Sequence, residues 1–416
     1  MKLIQLNTTL NSGSTGRIAE DIGLAVIKSG GQSIIAAGYT HRPSQSEVLS
    51  IGSAWDRKLH GLKTRLFDLH GFGSTAATKA LVREIKNIQP DIIHLHNIHG
   101  YYLNVEVLFD YLKTKNIPIV WTLHDCWSFT GHCSFFDRYN CMKWETECNH
   151  CPNSKGYPES WIVDNSRNNF YRKKEIFNGV KNLTIVTPSE WLANHVKHSF
   201  LSHYPARMIH NGIDMDVFKP VEKSDCLDKY NFKGSKFVLG VASIWDRRKG
   251  LDDFIELRKW LSTDVQIALV GLTKEQIKNL PVGVIGIERT ENVAELVALY
   301  SEATVFVNPT FVDNFPTTNI EALACGTPVI TYRTGGSPEA IDEKTGMVVE
   351  KGDVEELAKA IRQVIEKGKA YYSPLCRERA MKLFNKIERY EDYMKLYEEV
   401  IQRKNVTLSS TESETV

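Results

Sequence analysis

Short apolar runs separated by longer amphipathic stretches constrain this chain more than any other feature, and the pattern occurs twice. The first series falls at residues 2–6, 34–37, 92–95, 119–123 and 183–186, and the second at 237–241, 267–270, 305–307, 329–331 and 347–349. Brief runs of this kind fit strands buried on both faces, and the stretches between them fit the helices that cover those faces. An α/β chain with two parallel sheets is expected.

Length agrees with two sheets in two domains. At 416 residues the chain exceeds one ordinary core, since domains usually run to about 100–200 residues. Between the two series, Pro205, the Asn211-Gly212 turn signal and Pro220 break the periodicity. We expect an N-terminal domain over 1–204 and a second over 205–380. A helix over 381–404 carries Tyr393, Leu396, Tyr397 and Val400 at helical spacing, and the Ser/Thr/Glu-rich stretch 405–416 is expected to be a disordered tail.

A net charge of +1, with 42% hydrophobic and 24% charged residues, gives no general bias toward nucleic acid. The opening MKLIQLN is too short for a signal-peptide core, and no apolar stretch reaches the roughly 18 residues of a membrane span. Eight cysteines without an export signal point to a reducing compartment, so a cytoplasmic location is expected.

Ligands of open α/β sheets bind beyond the carboxyl ends of strands, and several segments there carry suitable chemistry. In VNPTFVDNFPTTNIEALACGTPVI, a strand leads through Asp313 to a short helix with Pro316 at its first position; Phe315 and Thr317 flank it. Free N–H groups at such a helix start attract anions, and the carboxylate of Glu321 can accept hydrogen bonds from a diol. The bland alternative places Glu321 on a solvated helix face. In LGVASIWDRRKGLDDFIE, Arg247, Arg248 and Lys249 follow a strand and could neutralise a phosphate. The loop NTTLNSGSTGRIAED offers Gly13 and Gly16 for close backbone approach, with a helix from about Arg17. TLHDCW ends a strand with His124 and Asp125. DIIHLHNIHG supplies His94, His96 and His99, whose density suggests metal but which are read as structural, with His99 best placed to line a cleft.

Together these segments resemble glycosyltransferase family four, whose signature is an acidic residue, seven intervening positions and a Glu ahead of an AxxxGxPVI-like stretch. The resemblance implies the GT-B fold, two Rossmann-like domains facing across a cleft, and a retaining, metal-independent glycosyltransferase using a nucleotide diphosphate sugar. It places Asp313 on the donor sugar, where relatives usually have Glu, and Glu321 on the ribose. Lys249 falls on the donor phosphates, with Gly13, Gly16 and Arg17 facing them from the other domain, and His124 beside the reacting sugar. Donor contacts are also expected at Phe315, Pro316 and Thr317. Relatives carry an Arg where this chain has Ser243, so Arg247 or Arg248 is expected to supply that charge. Asp214-Met215-Asp216 imitates a metal-binding DxD, but its interdomain position argues against that role. PDIIHLHNIHGYYLN and HDCWSFTGHC are similar to bacterial capsule, exopolysaccharide and colanic-acid-type transferases, which implies a glycan acceptor, lipid-linked in the leading reading. A nucleotide-sugar epimerase and a non-catalytic sugar-nucleotide-binding protein are the alternatives.

Two features lie outside this signature. Cys133, Cys141, Cys148 and Cys151 offer four thiolates for a structural zinc, against free thiols or a disulfide. Within 55–72, Trp55, Leu59, Leu62, Leu66 and Leu69 recur at helical spacing among Arg57, Lys58, Lys63 and Arg65. Such a stripe either packs on its own core or lies on an anionic membrane, here the inner face.

Overall fold

The computed structural model describes residues 1–40, 42–222, 225–230, 232 and 236–413. The chain divides into two compact units, one of residues 1–209 and 390–416, the other of residues 210–389.

In the first unit the strands are β1 (Lys2–Thr9), β2 (Gln32–Tyr39), β3 (Glu47–Ser50), β4 (Ile92–Leu95), β5 (Ile119–Thr122), β6 (Leu183–Thr187) and β7 (Ala206–Met208). They form one sheet in the order β3-β2-β1-β4-β5-β6-β7, and every pairing is parallel. Alternate residues feed opposite faces. Ile4, Leu6, Ile93, Leu95 and Trp121 enter one core; Leu3, Ile92 and Val120 enter another with Ile18, Ile22 and Val26 of the helix Gly13–Lys28. Tyr393, Leu396, Tyr397 and Val400 of the final helix complete this second core. Tyr397 Oη lies 2.6 Å from His94 Nδ1, and His94 Nε2 lies 2.8 Å from Thr122 Oγ1, so His94 ties the final helix to the sheet.

The second unit holds β8 (Lys236–Val241), β9 (Val265–Val270), β10 (Val284–Ile287), β11 (Val305–Asn308), β12 (Val329–Tyr332) and β13 (Gly346–Val349), ordered β10-β9-β8-β11-β12-β13 and again all parallel. Both orders reverse direction once, between β1 and β4 and between β8 and β11. This is the Rossmann-like arrangement, in which the crevice beyond the reversal receives the ligand.

Three details differ from expectation. The helix after β1 starts at Gly13, four residues before Arg17. Pro316 caps the helix Thr317–Ala324 from outside. The final helix, Lys386–Ser413, runs through residues 405–413, where composition suggested a disordered tail; residues 414–416 lie outside the described ones.

Candidate active site

Beyond β8 the chain turns through Trp245, whose indole donates to Val270 O at 2.8 Å, into the single 3-10 turn Arg247–Lys249. The Asp246 side chain accepts from Lys249 N at 3.1 Å, closing that turn. Gly250 follows at φ +76°, where an added Cβ would stand 2.3 Å from Pro309 O. Only glycine lets the basic loop lie this close to the segment leaving β11.

That segment brings Asp313 to the same place. Lys249 Nζ donates to Asp313 Oδ2 at 2.5 Å, with both side chains about one-fifth exposed. The two loops are also joined by backbone, as Phe311 N donates to Arg248 O at 2.8 Å. The ion pair thus spans the reversal between β8 and β11. Gly335, at φ +53°, backs the loop so closely that a Cβ would lie 1.8 Å from Asp313 O.

The helix Thr317–Ala324 begins at this loop without a side-chain cap. Its first N–H groups therefore lack the partner a Ser or Asp cap would give them. Glu321 is buried, 9% exposed, and its Oε2 accepts from Tyr300 Oη at 3.0 Å, so the solvated-face alternative does not hold. Phe315 is buried and stacks on His210, with ring centroids 4.8 Å apart and planes 17° from parallel. Asn211 Nδ2 donates to Phe315 O at 3.2 Å. The sequence marks Asn211 only as part of a turn between the two series, and nothing in it points to the contacts of His210 and Asn211 with Phe315.

Arg247 and Arg248 do not join Lys249 on Asp313. Arg247 lies 3.8 Å from Asp252 and Arg248 lies 3.7 Å from Asp246, in loose pairs at the surface. Ser243 is also exposed. Asp214 forms a turn, accepting from Asp216 N and Val217 N at 2.9 and 3.1 Å and pairing with Lys386 at 2.8 Å, so Asp214-Met215-Asp216 is a structural corner.

In the first unit, Gly16 is the tight position after β1, where a Cβ would meet Thr9 O at 2.9 Å; Gly13 sits at φ +66° with open space around it, and Arg17 is exposed. His124 follows β5, its Nε2 3.2 Å from His96 Nδ1, while His96 Nε2 is 3.0 Å from Gln5 Oε1. Burial holds His124 at about 4 despite the upward pull of Asp125, so the imidazole is neutral near pH 7. Burial alone would raise the Asp125 carboxyl, but His99, whose Nε2 lies 2.9 Å away, outweighs it and the group ends below its ordinary value.

The four cysteines of the expected zinc set come together. Cys133, Cys141, Cys148 and Cys151 line one small cavity, and all four are free. Among the described residues, however, no group of three or more His, Cys, Asp or Glu is placed to hold a metal ion. Cys133 and Cys151 meet thiol to thiol, while Cys148 Sγ accepts from Gly131 N at 3.2 Å.

Comparison with known proteins decides the family. The pattern described as Glycosyltransferase Family 4 matches residues 16–217, and that described as Glycosyl transferases group 1 matches residues 235–367. The chain belongs to glycosyltransferase family four. A colanic acid biosynthesis glycosyl transferase of Escherichia coli K12, WcaC, is 26% identical over 379 residues, covering 86% of this chain and 89% of the relative. Among solved structures, sucrose-phosphate synthase from Thermosynechococcus elongatus has a TM-score of 0.73 at 19% identity, covering 96% of this chain and 99% of that one. Anabaena HepE in complex with UDP-glucose has a TM-score of 0.63 at 17% identity, covering 99% of this chain and 100% of that one. At such identities these structures speak for the GT-B fold of this family-four enzyme.

Proposed function

We propose that this glycosyltransferase moves a sugar from a nucleoside diphosphate sugar to an acceptor hydroxyl, with retention at the anomeric carbon, in the synthesis of a bacterial cell-surface polysaccharide. The contact of Lys249 with Asp313 at the reversal of the second sheet carries this reading. It joins a cation suited to a diphosphate and a carboxylate suited to a sugar hydroxyl, beside an uncapped helix start. Similarity to WcaC, and to the capsular polysaccharide transferase CapM of Staphylococcus aureus, supports the polysaccharide assignment.

On this reading the bond between anomeric carbon and phosphate oxygen breaks, and the acceptor oxygen bonds that carbon on the same face. The acceptor proton passes to the leaving phosphate. Lys249 and the N–H groups of the helix start that follows Pro316, beginning at Thr317, stabilise the charge that develops there. Asp313 holds a donor hydroxyl and Glu321 the ribose, while Phe315 shapes the loop. Gly13, Gly16 and Arg17 are assigned to the donor phosphates, and neutral His124 to a hydrogen bond with the reacting sugar. The acceptor is a lipid-linked glycan at the inner face of the membrane, which residues 55–72 contact.

Thermal shifts across UDP-, GDP-, ADP- and TDP-sugars test the donor site, because a ligand of the native state raises its melting temperature. One nucleotide class should stabilise the protein, and Glu321→Ala should weaken that donor by about tenfold or more, as expected for a lost charge-assisted hydrogen bond. An unchanged affinity in Glu321→Ala would remove the ribose assignment.

A further inference from the structure

The helix Ala54–Phe67 faces the opposite way from an ordinary surface helix. Its buried positions are His60, Gly61 and Thr64, while Trp55 is 77% exposed, Leu59 56%, Leu62 47% and Phe67 53%. The inward side is fastened by polar contacts. His60 Nε2 accepts from Gly71 N and Gly73 N at 3.2 and 3.1 Å, and His60 Nδ1 lies 3.0 Å from Ser74 Oγ. Apolar side chains left outward on a helix so firmly anchored are not the remnant of a loose core.

A second element, distant in sequence, adds to this face. Trp161 N donates to Arg65 O at 2.7 Å, and the Arg65 guanidinium stands 5.5 Å from the centre of the Trp161 ring. Trp161, Ile162 and Val163 are 51%, 74% and 39% exposed, so consecutive apolar residues continue the outward face of the helix. Cations accompany them. Lys58 lies 5.0 Å over the Trp55 ring, Arg57 4.7 Å over Tyr39, and Lys155 donates to Trp161 O at 3.0 Å; Lys63 is exposed. Of the nearby acids, Asp56 is occupied by Ser53 N and Ser53 Oγ, Asp68 is buried against His132, and Asp164 accepts from Cys151 N and Ser166 N, while Glu159 is half-buried.

We infer that Ala54–Phe67 and the segment 161–163 form one two-part docking face for an anionic lipid bilayer, with the indoles and aliphatic side chains entering the interface and Arg57, Lys58, Lys63, Arg65 and Lys155 meeting lipid phosphates. The occupant follows from charge and chemistry: indoles with basic neighbours suit the headgroup boundary, where a protein partner would ask for a more continuous apolar patch. The inference rests on the membrane-proximal acceptor proposed above and adds to residues 55–72 the 161–163 segment and Lys155, which complete the face.

Co-sedimentation of the full chain with vesicles of phosphatidylcholine, with and without phosphatidylglycerol, tests it at low and high salt. The wild type should pellet with the phosphatidylglycerol vesicles and be released by salt. Trp161→Ser/Ile162→Ser and Lys58→Glu/Lys63→Glu should each lose about tenfold in partitioning, from the lost apolar insertion and the reversed charge respectively. Both variants should keep the wild-type melting temperature and turnover on a soluble acceptor. A wild type that stays in the supernatant, pellets equally with neutral vesicles, or dimerises through these residues would overturn the inference, as would variants that pellet like wild type. Vesicle binding by a wild type that turns over no nucleotide sugar would defeat the transfer reading and leave this face standing.

Discussion

Lys249 is held from three sides: by Asp246 on its backbone, by Asp313 on its ammonium, and by the left-handed Gly250 that follows it. Gly250→Ala should therefore disturb the site as well as the fold. Strained backbone of this kind costs about 1–3 kcal/mol, and the added Cβ must also move Pro309. Denaturant unfolding should show the loss, and transfer should fall further than the population of folded protein does. That Lys249, Asp313 and Glu321 lie on loops and a helix just beyond strands was legible in the sequence, because strand, loop and helix are local patterns; their assignment to a donor came from the family resemblance. Their partners were not legible. Tyr300, His210 and Asn211 reach the site from other parts of the second unit, and no periodicity announces such contacts. The surface pairing of Arg247 and Arg248 with Asp252 and Asp246 was equally invisible, since it depends on how a short turn closes.

Strands carried by continuous apolar runs could be read directly, and those that were missed share a physical reason. Glu47–Ser50, Ala206–Met208 and Val284–Ile287 are edge strands, with one neighbour each and little of the double-sided burial that writes an apolar run. The helix Ala54–Phe67 was legible as a helix, but its spacing is the same whichever way the stripe faces. The first sheet also gathers a set of histidines kept neutral by burial. His60, His124 and His195 are each lowered to about 4, and His70, His94 and His96 are driven well below the ordinary value. The unfolded chain therefore binds more protons than the native state between about 4 and the ordinary 6.5, so stability falls as pH drops through that window. His132 opposes this: burial lowers it, but Asp68, 2.6 Å away, outweighs burial and leaves it raised, stabilising the fold on the acid side. With six groups against one, unfolding followed by the tryptophans of the first unit should shift to lower temperature as pH falls from 7 toward 5. A flat profile would contradict the neutral histidine core.

Across the whole molecule, two sheets with the same reversal of strand order carry different chemistry at their reversals. The first presents glycines and a neutral histidine network, and the second a cation, two carboxylates and an uncapped helix start. Membership of glycosyltransferase family four fits that division, and on the proposed function the second reversal is where the donor's charge is stabilised. Release of nucleoside diphosphate in the presence of acceptor, measured for wild type, Lys249→Ala and Asp313→Asn with the stabilising donor, tests it most directly. Both variants should remain folded and lose about 100-fold or more in turnover, the scale of a missing charge-stabilising donor. Turnover within a few-fold of wild type in Lys249→Ala would show that the second reversal does not stabilise the leaving group.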